Sequence, residues 1–222
     1  MAEQFAMIGY TSYIGSAKRR KPVVDMGWRM LVPAHRSSKL AQPDTPYAMD
    51  SGAWTCYKQG IPFDEKAYMH GIERMGDGAD WIVLPDIVGG GMESLEFSKR
   101  WLDKVRHIEL LLIAVQDGMD PDEVQPLLDP TVGIFLGGTT EFKIKTMRIW
   151  GEVARNCNSY YHVGRVNSQK RIRQCQDAGA HSFDGSGVSR FFHMDNKPAE
   201  RMKNATMQGH LWGPSDWRKP QF

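Results

Sequence analysis

The sequence predicts a closed (β/α)8 barrel of the TIM type, with an open α/β sheet of seven to eight strands as the main alternative. Three observations point to it. Eight short apolar runs recur along the 222 residues, and most stop at a polar residue or a glycine. The runs are continuous rather than alternating, as parallel strands covered on both faces require. Amphipathic segments with recognisable caps separate the later runs, so strand and helix alternate. The chain is short for a barrel, whose usual size is about 250 residues, so some connections are expected to lack helices.

In order, the candidate strands are FAMIGY (5–10), RMLVPAH (29–35), YAMDSG (47–52), DWIVLPD (80–86), LLLIAVQDG (110–118), VGIFLGG (132–138), YYHVGR (160–165) and HSFDGS (181–186). The first two connections, 12–28 and 36–46, show no helical period and read as loops. Residues 64–75 read as a helix capped by Asp64, with Tyr68, Ile72 and Met75 on one face and Gly76 ending it. Residues 93–106 place Leu95, Leu102 and Val105 together with Trp101 beside them. Residues 140–154 carry Phe142, Ile149 and Val153 on one stripe and Met147, Trp150 and Ala154 on its neighbour. Residues 168–178 run from the cap candidate Ser168 through Ile172 and Cys175 to Gly179. With no repeat, low-complexity tract or linker, residues 1–222 are expected to form one barrel domain, and the tail with Trp212, Trp217 and Arg218 to pack on it.

Composition narrows the class. With 41% hydrophobic and 24% charged residues the chain can bury one sizeable core. A net charge of +2 does not mark a nucleic-acid binder, and the basic run Lys18, Arg19, Arg20, Lys21 reads first as a solvated loop. Cys56, Cys157 and Cys175 lie too far apart for a metal knuckle or a disulfide framework, so no metal or cofactor is expected and a reducing cytoplasm suits the chain. The start MAEQFAMIGYTSYIG lacks the features of a signal peptide, and no segment approaches the roughly 20 apolar residues of a membrane span.

In a barrel, strand C-termini open on the face that carries the active site. Asp50, Asp86, Gln116, Gly137 with Gly138, Gly164 and Asp184 are then brought together. Each has a plainer reading: an aspartate there also caps a helix or closes an Asx-turn, and Gln116-Asp117-Gly118 also makes a turn. Gly89-Gly90-Gly91 lacks the GK[ST] of a phosphate loop, and His162, inside an apolar run, reads as a core histidine. Taken together, carboxylates facing across a pocket suit cleavage of a glycosidic bond, one attacking the anomeric carbon and the other moving protons at the leaving group. The small residues Gly185, Ser186 and Gly187 leave room beside Asp184 for a crowded sugar.

The series DSGAW (50–54), VLPD (83–86), IAVQDG (113–118), GIFLGG (133–138), YHVG (161–164) and SFDGSGVSR (182–190) resembles, in order and spacing, the tRNA-guanine transglycosylase superfamily. It is most similar to the small DNA-guanine transglycosylases that insert 7-deazaguanine bases into phage and bacterial DNA. The likeness covers roughly residues 45–190. It implies that Asp184 is the nucleophile on C1′ and Asp50 the general acid/base. It implies further that Asp86, Gln116, Gly137 and Gly138 read a guanine-like edge. Trp54 would stack on the base, Val163 and Gly164 would line the opposite wall, and Arg190 would contact a phosphate.

The three-cysteine, one-histidine zinc site of the tRNA enzymes cannot be built from these cysteines, and GSGVSR follows Asp184 where those enzymes carry a proline-containing segment. Both departures favour DNA, presented as a flipped-out or single-stranded nucleotide, with a free 7-deazaguanine base such as preQ0 as second substrate. A partner protein supplying DNA binding is compatible with this reading. Three other readings stand beside it. Water in place of the incoming base gives a DNA glycosylase excising a modified base. Gly164, Arg165, Ser168 and Gly185 to Ser189 suit a phosphosugar-binding barrel. A non-catalytic DNA-binding module needs none of the acids.

Overall fold

The computed structural model describes residues 7–35 and 44–186. Eight parallel strands form a closed barrel in chain order, and pairing of the first with the last excludes the open sheet. The strands are β1 (Ile8–Ser12), β2 (Arg29–Pro33), β3 (Tyr47–Asp50), β4 (Ile82–Val83), β5 (Leu111–Val115), β6 (Val132–Leu136), β7 (Tyr161–Val163) and β8 (Ser182–Asp184). Outside them lie α1 (Ala17–Asp25), α2 (Ala53–Gln59), α3 (Glu65–Met75), α4 (Met92–Leu102), α5 (Pro121–Val124), α6 (Thr140–Asn156) and α7 (Gln169–Asp177). Among the described residues no helix is long and apolar enough to cross a membrane.

The continuous apolar runs serve two cores. Ile8, Tyr10, Ala48, Val83, Leu112 and Ala114 pack inside the barrel. Met30, Val32, Met49, Ile113 and Leu136 face outward onto Ile72, Trp101, Trp150 and Ile172 of the helices. β4 is short: Leu84 still gives its N–H to the Leu112 carbonyl, but Pro85, the next residue, has no N–H to continue the ladder.

The helices depart from expectation in instructive places. Residues 17–25, expected to be loop, form α1 despite Pro22 inside it. Only Arg20 and Val23 of this helix are buried, so it shows no apolar stripe. Arg20 is a tie rather than a solvated charge: its guanidinium donates to the Ile14 carbonyl at 2.6 Å and to Asp44 at 2.6 Å. Asp64 caps α3 by accepting the Ala67 N–H at 2.9 Å, but Gly76 adopts helical dihedrals and carries the chain into a 3-10 turn instead of stopping it. On α6 Met147, Trp150 and Ala154 are buried together with Val153 of the neighbouring stripe, whereas Ile149 is 48% exposed. Ser168 caps α7, with its hydroxyl accepting the Arg171 N–H. Residues 5 and 6, most of the second connection, Arg190 and the tail with Trp212, Trp217 and Arg218 lie outside the described residues, as do Gly187 to Ser189.

Candidate active site

Because every strand runs the same way, Asp50 at the end of β3, Asp86 just past β4 and Asp184 at the end of β8 open on one face. Short polar contacts hold them. Asp50 Oδ1 accepts the Gly52 N–H at 3.1 Å. Ser51, a residue the motif reading passed over, donates its hydroxyl to Asp86 Oδ1 at 2.9 Å and accepts the Ala53 N–H at 3.2 Å. Burial raises the Asp50 carboxyl above the usual carboxylate range, the Gly52 N–H opposes this, and the charge of Asp184 adds to the rise. Burial and then the charge of Asp50 push Asp86 up to about 7, against the Ser51 hydrogen bond. Asp50 therefore lies close enough to both Asp86 and Asp184 for their charges to couple to it.

Asp184 is gripped from two sides. His162 Nε2 stands 3.1 Å from Oδ1, and the backbone N–H of Arg165 donates to Oδ2 at 3.2 Å. The histidine is fully buried inside the barrel, stacked on Phe135 at 4.8 Å and packed against Trp81 at 4.6 Å. Its Nδ1 lies 2.7 Å from the Ser182 hydroxyl, and Ser182 is in turn hydrogen-bonded to the hydroxyl of Tyr160. Burial lowers the imidazole pKa, and the hydrogen bond to Asp184 opposes it. His162 is thus a satisfied core residue and, at the same time, the group that touches the candidate carboxylate. Its neighbour Val163 faces the helix layer, so the expectation that the Val163 side chain lines the pocket is corrected: side chains alternate along β7, and the inward position belongs to His162.

The remaining candidates are distributed around this opening. Arg165, at φ 57°, is turned so that its guanidinium donates to the Gly138 carbonyl and lies 4.8 Å over the Trp54 ring. Trp54 projects from α2, 44% exposed, and stacks on Tyr57. Gly138 sits at φ 72°, where a Cβ would come within 2.5 Å of the Asp117 carboxylate that binds both the Thr139 N–H and hydroxyl. The Gly137 N–H is spent on the Val115 carbonyl and that of Gly164 on Leu136. Gln116 is largely committed as well: Oε1 accepts the Gly89 N–H at 2.6 Å and Nε2 donates to the Ile87 carbonyl at 2.9 Å, bracing the loop that follows β4. Gly185 is small for a packing reason that the sequence did not reveal, since a Cβ there would stand 2.2 Å from the Val166 carbonyl. Beneath the Arg165 turn, buried Lys143 donates to the Gly164 carbonyl, and burial together with the Arg165 charge pushes its pKa down to about 8.

Among the described residues no group of three His, Cys, Asp or Glu is disposed to hold a metal ion. A surface depression lined by Asp122, Gln125, Leu128 and Cys157 lies beside the segments entering β6 and β7, away from the strand-end acids. The titratable groups gathered at this end of the barrel include the three carboxyls. One is held by neutral donors and two are raised toward neutrality, a set suited to nucleophilic attack and proton transfer. No known family model matches the chain, and no curated protein matches it.

Proposed function

We propose that the protein cleaves an N-glycosidic bond in DNA and exchanges guanine for a 7-deazaguanine base of the preQ0 kind. Asp184 attacks C1′ as the bond to the base nitrogen breaks, and Asp50 gives the leaving base its proton. The incoming base then loses a proton to Asp50 and its nitrogen attacks C1′. The Asp184–C1′ bond breaks with its electron pair returning to the carboxylate, and two inversions leave the sugar configuration unchanged. Asp86 accepts from the base edge, and Trp54 offers a stacking face. The target nucleotide is flipped out or single-stranded. No cofactor enters this scheme.

One observation carries the reading: Asp50 and Asp184 end two parallel strands on the same face of the barrel, with burial and then the Asp184 charge raising the Asp50 carboxyl above the usual carboxylate range. The test is nucleoside mass spectrometry of DNA incubated with the protein, with and without preQ0, beside Asp184→Asn. A 7-deazaguanine deoxynucleoside is expected only with the unaltered protein and added base, and Asp184→Asn should lose at least about a thousand-fold in rate. Abasic sites without added base would make the enzyme a glycosylase. Full activity in a folded Asp184→Asn would refute the covalent mechanism.

A further inference from the structure

We infer that His162 is a positioning residue: it donates its Nε2 proton to Asp184 and thereby makes that carboxylate a better leaving group when the covalent sugar adduct breaks down. The inference rests on the reading of Asp184 as nucleophile.

The proton placement follows from what each partner is able to do. An aspartate carboxylate only accepts, so the 3.1 Å contact at Nε2 requires the ring proton there. A neutral imidazole has only one N–H, and Nδ1 must then accept. The partner at Nδ1 is the Ser182 hydroxyl, 2.7 Å away, whose proton is able to point at the ring nitrogen. Burial favours the neutral ring. A one-way chain results, from Ser182 through His162 to Asp184. The register pairing His162 with Ser182 and the stack on Phe135 fix the ring plane, so the donor has one direction.

A hydrogen bond to a carboxylate is roughly twice as strong as one to a neutral acceptor. In the covalent adduct Asp184 is an ester, and the bond from His162 weakens. When the O–C1′ bond breaks and the electron pair returns to Asp184, the bond regains its strength. The incoming nitrogen meanwhile bonds to C1′ and its proton passes to Asp50. The donor therefore favours the free carboxylate over the ester, and breakdown of the adduct is the step it accelerates.

The test has two arms on the full chain. In the first, nitrogen NMR of the His162 ring near pH 7.5 is expected to show a protonated Nε2 and an unprotonated Nδ1, with a signal that moves in Asp184→Asn. In the second, denaturing gels follow the protein–DNA adduct in His162→Phe and His162→Gln, each first checked for folding by circular dichroism. His162→Phe keeps an aromatic ring on Phe135 but donates nothing, so adduct breakdown should slow by about ten-fold and adduct should accumulate. His162→Gln places an amide N–H near the lost donor and should restore most of the rate. Ser182→Ala, which disturbs the barrel less, should give a smaller slowing of the same step. An unprotonated Nε2, or a His162→Phe that slows formation and breakdown alike, would overturn the inference. A wild-type protein that forms no adduct, beside an active Asp184→Asn, would refute the nucleophile reading itself, and the NMR arm would still report on the His162–Asp184 pair.

Discussion

The two ends of the barrel both hold partly buried aspartates but satisfy them by different means. At the lower end, where strands begin, Asp80 lies 2.8 Å from the Arg29 guanidinium and 2.7 Å from the Tyr10 hydroxyl, with both ion-pair side chains about 10% exposed or less. At the upper end, among the described residues, Asp50, Asp86 and Asp184 have no lysine or arginine ion-pair partner within 4 Å. Their donors are backbone N–H groups, the Ser51 hydroxyl and the His162 ring. A cation neutralises a carboxylate and commits it to the fold, whereas neutral donors hold it in place and leave its charge and proton for chemistry. Burial raises Asp80 too, but the Arg29 charge and the hydrogen bonds from Arg29 and Tyr10 pull it back.

The most severe way to break this contrast is to remove an acid from each end. Asp80→Ala leaves the Arg29 guanidinium buried without its partner, which typically costs about 3–5 kcal/mol, or roughly 6–20 °C in Tm for a chain of this size. Asp184→Asn should shift stability by less than about 1 kcal/mol, because the amide oxygen still accepts from His162 and only the exposed Arg165 N–H loses its acceptor. Urea melts of both variants check the pair. Equal losses would mean that the upper acids are as structural as the lower one.

A smaller effect, of opposite sign, is expected at Asp86. Its folded pKa of about 7 lies above the ordinary value of 3.8, so between those limits the folded chain holds a proton that the unfolded chain releases. Stability from this residue is greatest below about pH 4 and is lost as the pH rises through 7. Asp86→Asn should therefore stabilise the fold at pH 8 by about 1–3 kcal/mol, a gain that fades as the pH falls toward 4. Base binding should move the other way, strengthening in the wild type as the pH rises from about 6 to 8 and the carboxylate becomes free to accept from a guanine edge. A variant destabilised at every pH would place Asp86 with Asp80 as a structural acid.

The strands and the three upper acids were legible because they depend on local pattern: a strand buried on both faces must be apolar throughout, and a carboxylate at its end interrupts that run. What escaped the sequence depends on register and on contacts between distant segments. His162 read as core, correctly, but its hydrogen bond to Asp184 exists only because β7 pairs with β8 in a particular register. Val163 was assigned to the pocket because motif spacing does not say which of two neighbours faces inward. Arg165 and Ser51 act through turn geometry at strand ends, which no periodicity reports. α1 lacked an apolar stripe because one of its two buried residues is an arginine. Gln116 sits where the strand-end pattern puts it, yet its amide mainly holds the loop at 87–89.

The smallest expected change in stability concerns Trp54, the residue that joins the two kinds of behaviour. Its ring is 44% exposed and carries the Arg165 guanidinium 4.8 Å above one face, so in this state a cation occupies the place proposed for a base. An exposed aromatic of this kind contributes little to the fold, and Trp54→Ala should change stability by no more than about 0.5 kcal/mol. Loss of a stacking partner weakens single-strand binding by about 1–3 kcal/mol per base, so fluorescence titration with a short single-stranded DNA should show roughly 5- to 150-fold weaker binding. Trp54→Phe should keep much of it. If Trp54→Ala instead lowers Tm by several degrees and leaves DNA binding intact, the ring serves to hold Arg165 over Gly138 and Asp184. The upper rim would then be braced by a buttressed arginine, as the lower end is braced by Arg29.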